Sequence, residues 1–156
     1  MLYRMLNKFV GVFFNLLNLL LGGNLPPFGS VCMIVEDQGR YLVIQRPEGK
    51  TVFPSGFVRW REHPEQTVLR EGKEETGLEL RVGEFVGYAS VVSAHFMRMS
   101  SLTLIYGADV VGGQLRGSVE GDPCWLDETE LRNKMDAQQR SIFERYLRYR
   151  MGLKSL

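Results

Sequence analysis

Between residues 2 and 21 the polar or small positions are Arg4, Asn7, Lys8, Gly11, Asn15 and Asn18, three or four apart, and the rest is almost wholly apolar. That period is helical, with a narrow polar stripe beside a wide apolar face, and predicts an N-terminal amphipathic helix. Gly22, Gly23 and Asn24, then Pro26 and Pro27, stop it and begin a linker. Further on the pattern changes to β-branched and apolar runs at residues 31–36 and 41–46, separated by Asp37, Gln38 and Gly39, which predicts a hairpin closed by Pro47 and Gly49. A short apolar piece at residues 52–54 leads into a predicted loop over residues 55–63. A helix then opens at Pro64 and closes at Gly77.

Residues 80–92 and 100–111 read as two long strands, the first with Gly83 and Gly87 as bulge positions and the second turning at Gly112 and Gly113. Residues 124–126 form a short strand. Asp127, with Glu130 three residues on, caps a short helix, and residues 136–150 have helical periodicity. The order β-β-β-α-β-β-β-α-α predicts an α/β protein whose mixed sheet is sandwiched by helices. We divide the chain into an N-terminal amphipathic helix and linker, residues 1–25, and one domain, residues 26–156.

Composition narrows the function. The 156 residues suffice for one ordinary core, and 19 basic against 18 acidic side chains leave a formal charge of +1. No excess of positive charge attracts a polyanion, so no specific nucleic-acid partner is expected. Cys32 and Cys124 lie in apolar surroundings without ligand spacing, which argues against a disulfide framework and a structural zinc. The apolar stretch from Phe9 to Leu21 falls short of the roughly 20 residues that span a bilayer, and no small-residue cleavage signature follows it. The expected location is cytoplasmic, at the membrane periphery if the helix meets lipid. Docking on a domain or a homodimer through residues 1–22 is expected ahead of peripheral membrane contact through them, because only Arg4 and Lys8 offer charge to anionic lipid.

Residues 56–78 read GFVRWREHPEQTVLREGKEETGL and carry the chemistry. Arg70, Glu71, Glu74 and Glu75 crowd onto about a turn and a half of one helix, with Glu71 and Glu75 on a shared face. Exposed like charges cost a few tenths of a kcal/mol per pair, and a hard divalent cation with oxygen ligands relieves them. Mg2+ keeps waters and takes substrate phosphates as its other ligands, so such a helix beside a glycine-containing loop suits hydrolysis of a phosphate derivative.

The positions Gly56, Glu62, Arg70, Glu71, Glu74, Glu75, Gly77 and Leu78, in this spacing, resemble the box of the Nudix hydrolase family. The resemblance extends more softly over residues 28–150. It implies a Nudix-type α/β/α sandwich that uses Mg2+ or Mn2+ to cleave a nucleoside diphosphate linked to another moiety, such as a nucleoside triphosphate or nucleotide sugar. Carried onto this chain, it implies Glu71, Glu75, Glu74 and the Gly56 carbonyl as metal ligands. Glu74, Arg70 and Glu71 would be catalytic, with Glu74 activating water and Arg70 orienting a glutamate, Glu74 foremost. Arg46, Arg59 and Glu62 would face substrate, with Glu62 holding the loop or sharing a metal. Four positions depart from the family's pattern: Gly72 replaces an aliphatic residue, Ser55 a glycine, and Arg59 and Arg61 replace glutamate and glycine.

A rival reading is a Nudix-like nucleotide-binding or regulatory module without turnover, and a third is a domain whose N-terminal helix, attached to membrane, is the main function. Phe53, Trp60 and Phe96 are expected in the core rather than on a base. His63 and His95 are expected as loop residues. Residues 93–95 stand where some subfamilies place a diagnostic proline or tyrosine, and neither is present. A close approach of something bulky is expected at Gly72, and the N-terminal helix is one candidate for it.

Overall fold

The computed structural model describes residues 2–92 and 100–153, with side chains from residue 9 onward. Helix α1 spans Leu2–Leu20. Strands β1 (Phe28–Asp37) and β2 (Arg40–Gln45) form the predicted hairpin, whose turn residues Gln38 and Gly39 both have positive φ, at 49° and 75°. Two such residues match the right-handed strand twist, which is why a short turn suffices. Then come β3 (Thr51–Val52), β4 (Ser55–Phe57), α2 (Pro64–Thr76), β5 (Leu78–Val91), β6 (Ser101–Gly113), β7 (Asp122–Asp127), α3 (Glu128–Lys134) and α4 (Ala137–Arg150).

The sheet is mixed. Strand β1 runs parallel to β6 and antiparallel to β4, β5 lies antiparallel outside β6, and β2 is flanked by β3 and β7. The register between β5 and β6 shifts three times, twice around the predicted bulge glycines Gly83 and Gly87 and once at Glu79/Leu80.

Alternation along β1 sorts its side chains onto two cores. Val31, Met33 and Val35 pack with Val68 of α2 and with Leu78, Leu80 and Tyr106. Cys32 and Ile34 face the other way, onto Phe53, Leu131, Ile142, Phe143 and Leu147. A strand buried on both faces must be apolar at consecutive positions, as this one is. Helix α2 therefore covers one face and the pair α3 and α4 the other, giving the α/β/α sandwich that the element order predicted.

Three local expectations are corrected. Residues 55–57 are strand, not loop, because Ser55, Gly56 and Phe57 pair with Cys32, Val31 and Ser30. Phe53 is core, but Trp60 is 89% exposed. The space a side chain at Gly72 would need belongs to β5: a Cβ there would stand 2.4 Å from Leu80 Cδ1 and 3.4 Å from Met33 Sδ. Leu80 and Met33, rather than the N-terminal helix, account for this glycine. His95, Phe96 and the diagnostic positions 93–95 lie outside the described residues.

Candidate functional site

Helix α2 is fixed at both ends by its own residues. Pro64 begins it, the Gln66 side chain accepts from the His63 N–H at 2.9 Å, and Gly77, at φ 74°, donates its N–H to the Lys73 carbonyl. His63 is thus the residue that precedes the helix, as expected. The buried side, with Thr67, Val68, Gly72, Glu75 and Thr76, faces the sheet. Glu75 therefore points inward while Glu71 and Glu74 lie nearer the surface.

Arg70 organises the outer carboxylates. Its Nε and Nη2 reach the two oxygens of Glu62 at 2.7 and 2.9 Å, its Nη1 reaches Glu71 at 2.5 Å, and Nη2 also donates to the Phe57 carbonyl at 3.1 Å. The Glu74 contact expected for Arg70 is the longest of these, at 3.3 Å. Glu62 also accepts from the Arg59 N–H and the Thr67 hydroxyl, each at 2.9 Å. Hydrogen bonds from Arg70, then from Arg59 and Thr67, outweigh burial and hold the Glu62 carboxyl well below its ordinary value, at about 2. Glu62 here ties the loop to the helix. Arg59 pairs with Glu74 at 3.2 Å, both of them substantially exposed.

Gly56 touches the same cluster. A Cβ at this position would stand 2.0 Å from the Glu71 carboxyl, so only glycine lets that carboxylate lie against β4. Burial pushes the Glu71 carboxyl above its ordinary value, against the pull of Arg70.

Glu75 is the anomalous group. It is 2% exposed, its Oε2 accepts from the Ser55 N–H at 2.8 Å, and its Oε1 has no hydrogen-bond partner. Ser55 therefore serves through its backbone. Burial, reinforced by the nearby carboxylate of Glu120, raises Glu75 to about 8, and the Ser55 N–H and Arg46 only partly offset this. Arg46 Nη2 lies 3.9 Å from Glu75 and 3.4 Å from Glu120, and its Nε is buried without a partner. Beside it opens a cavity of about 290 Å3 lined by Gln45, Arg46, Gly49, Lys50, Thr51 and Lys134.

Glu120 was not among the residues singled out from sequence. It sits in the turn before β7, where Ser118 and Gly121 exchange backbone hydrogen bonds. Gly121, at φ 148°, brings this turn so close to β2 that a Cβ would stand 2.4 Å from the Gln45 carbonyl oxygen. The pairing of Gln45 with Asp122 then sets Glu120 beside Arg46. The only local hint is an acid between glycines in a loop region.

Among the described residues, no three acidic, histidine or cysteine side chains converge on one point as a ready-made cation cage. Arginines hold Glu71 and Glu74, and among the described residues the buried carboxylate oxygen without a hydrogen bond is Oε1 of Glu75.

A mixed sheet between helical layers, with a glutamate-rich loop and helix on one face, defines a class of α/β proteins with an acidic site. The model of the NUDIX domain matches residues 26–146, and the chain belongs to this family of hydrolases. It is 29% identical over 132 residues to an ADP-ribose pyrophosphatase of Methanocaldococcus jannaschii, covering 82% of this chain and 78% of that one. It is 31% identical over 115 residues to a MutT-like protein of Streptomyces ambofaciens, covering 70% and 71%. A NUDIX hydrolase structure from Nitrosomonas europaea superposes with a TM-score of 0.71 at 22% identity, covering 83% of this chain and 92% of that one, a likeness of fold. No helix among the described residues is long and apolar enough to cross a membrane.

Proposed function

We propose that this hydrolase is a Mg2+- or Mn2+-dependent pyrophosphohydrolase that splits the phosphoanhydride of a nucleoside diphosphate linked to another moiety. The observation that carries the reading is the partnerless oxygen of Glu75. An orphaned buried carboxylate oxygen costs free energy unless something cationic completes it, and the neighbouring oxygen donors on Glu71, on Glu74 and at the Gly56 carbonyl are of the hard kind that such cations take. The donor atoms are of the type a divalent ion takes, and Glu71 and Glu74 would exchange their arginine partners for it. Once bound, the ion supplies Lewis-acid polarisation of a phosphoryl oxygen and lowers the pKa of a bound water.

The chain's own groups do the rest. Glu75 holds its place through the Ser55 N–H, and Glu71 is positioned by Arg70 in the space that Gly56 leaves. Glu74, the most exposed of Glu71, Glu74 and Glu75, accepts the proton of the attacking water. The water oxygen bonds to phosphorus, and the bridging oxygen departs with the other phosphoryl group. The products are a nucleoside monophosphate and a second phosphorylated fragment. Arg46 and Arg59 carry positive charge toward the phosphate oxygens, and Lys50 and Lys134 extend that field around the cavity beside Arg46. The named activity of the Methanocaldococcus relative and a 31% identical NAD-capped RNA hydrolase of Vibrio atlanticus, 39% of whose length is matched, support a nucleoside-diphosphate core.

The test is metal-dependent release of phosphate or monophosphate from a panel of nucleoside triphosphates, nucleotide sugars, ADP-ribose and dinucleoside polyphosphates. Turnover by the native chain that disappears in Glu75→Gln is the expected result. A Glu75→Gln protein that retains full metal-dependent turnover overturns the assignment.

A further inference from the structure

The cavity of about 290 Å3 beside Arg46 is walled by cations. Arg46, Lys50 and Lys134 line it, and no acidic residue stands among its lining. Two separate parts of the chain supply these charges, and local structure fixes each. At the end of β2 the Arg46 N–H donates to the Lys50 carbonyl at 2.8 Å and the Gly49 N–H to the Arg46 carbonyl at 2.9 Å. Gly49, at φ 80°, makes that tight turn possible and so brings Arg46 and Lys50 together. Lys134 is the last residue of α3, which Leu131 and Met135 anchor in the core that also holds Phe53.

The three cations are not equally engaged. Arg46 Nη2 is 3.4 Å from Glu120 and 3.9 Å from Glu75, so its charge is already shared with the acidic site, while its Nε is buried without a hydrogen bond. Lys50 and Lys134 are exposed, and among the described residues neither has an ion-pair partner, whereas Lys73 pairs with Glu79 at 3.0 Å. Glu130, one helical turn from Lys134, turns back instead to accept the Asp127 N–H and cap α3. Ammonium and guanidinium groups donate hydrogen bonds and accept none, so this lining calls for an anion rich in acceptor oxygens. Pockets that enclose drug-sized ligands run from roughly 300 to 1,000 Å3, so this one suits a phosphate group or two rather than a whole nucleoside.

We infer that this cavity is a subsite for a terminal phosphate, one lying beyond the anhydride that is split, with Lys50 and Lys134 as its ligands. A terminal phosphate carries a charge of about −2 near neutral pH, which the two unpaired ammonium groups match. A phosphoryl group within an anhydride chain carries less, and a sugar at that place carries none. Arg46 joins the subsite to Glu75, so a phosphate chain running past Arg46 puts its end in the cavity and an inner anhydride at the carboxylates. Selection among substrates rests on the hydrolytic reading, and it favours nucleoside triphosphates over nucleotide sugars and ADP-ribose. The phosphate site itself uses none of the carboxylates and stands apart from that reading.

The experiment has two arms, both on the full chain. In the first, calorimetry in EDTA measures binding of inorganic pyrophosphate to the native chain and to the double variant Lys50→Met, Lys134→Met. Methionine keeps an apolar stem without the charge, both positions are exposed, and circular dichroism checks the fold. Charge-assisted hydrogen bonds of this kind make the expected weakening about tenfold or more, with recovery in Lys50→Arg, Lys134→Arg. In the second arm, kcat/KM is measured with Mg2+ for adenosine triphosphate and for ADP-ribose. The native chain should favour the triphosphate, and the double variant should lower that preference about tenfold, through KM. Pyrophosphate binding that is absent from the native chain, or equal in the double variant, overturns the inference. A native preference for ADP-ribose, or a preference for the triphosphate that the double variant leaves unmoved, also overturns it. Lysine-dependent pyrophosphate binding by a chain that hydrolyses neither compound supports the subsite and overturns the hydrolytic reading instead.

Discussion

The carboxylate of Glu75 makes the metal-free protein weaker as pH rises, and replacing it with glutamine isolates that effect. Its carboxyl titrates at about 8 in the folded chain, against 4.5 as the ordinary value, because it is buried first and stands near Glu120 second. Between those two values the folded protein keeps a proton that the unfolded chain has released. Stability from this group is therefore full below about pH 4.5, falls as pH rises toward 8, and is level above. Every tenfold difference in proton affinity between the folded and unfolded chain is worth about 1.4 kcal/mol, which sets a ceiling of about 5 kcal/mol across the window. Relaxation around the charge brings the expected loss to about 2–4 kcal/mol. Glutamine has nearly the same shape, can keep the bond from the Ser55 N–H, and has no proton to lose. Thermal unfolding in EDTA, followed by circular dichroism from pH 5 to 8.5, should show native chain and Glu75→Gln close together at the acid end. The variant should be more stable at the alkaline end, by roughly 4–16 °C at about 2–4 °C per kcal/mol for a domain of this size. Carboxylates remote from Glu75 cancel in the difference, whereas Glu120, beside it, is part of the effect. Parallel pH profiles, or a gap that widens toward acid, would refute the reasoning. Adding Mg2+ at pH 8 should restore the native chain and leave the variant unmoved.

Glu62 has the opposite sign. Arg70 holds its carboxyl at about 2, so its stabilisation is present above about pH 4.5 and lost as pH falls through 2. Glu62→Gln should unfold about 1–3 kcal/mol more easily at pH 7, with the deficit shrinking below pH 4 in urea titrations; a deficit independent of pH would show that packing, not charge, is lost. Gly72→Ala should destabilise by about 1–3 kcal/mol despite alanine's advantage of about 1 kcal/mol in helix propensity, because its Cβ meets Leu80 Cδ1 at 2.4 Å. Shortening that partner in Gly72→Ala, Leu80→Val should recover part of the loss in thermal melts, and a stabilised single variant would sink the account.

The contrast between what the sequence announced and what it hid follows the range of the interactions. Helix α2 was legible because its signals are local: Pro64 at the start, Gln66 reaching back to His63, Gly77 at the end, and carboxylates at fixed spacing between them. The hairpin was legible for the same reason, since Gln38 and Gly39 stand next to the strands they join. Residues 55–57 carry no strand alternation of their own and become strand only because β1 offers them a partner. Gly72 read as an empty place on a helix until β5 filled it with Leu80, eight residues away in the chain.

Glu120 is the sharpest instance of that dependence on register. It stands 45 residues beyond Glu75 and 74 beyond Arg46, and its neighbours mark it only as an acid in a glycine-flanked loop. What places it is the pairing of β7 along β2, from Arg40 with Asp127 to Gln45 with Asp122, and the glycine that lets the preceding turn approach the Gln45 carbonyl. A slip of one residue in that pairing would reverse every side chain of β7 between the two cores and carry Glu120 away from Arg46. The apolar contacts of Leu126 in one core and Trp125 in the other forbid such a slip. The register of a strand buried for packing thus also fixes the position of a carboxylate that perturbs Glu75. The electrostatics of the site are set as much by the far edge of the sheet as by the helix that bears its glutamates.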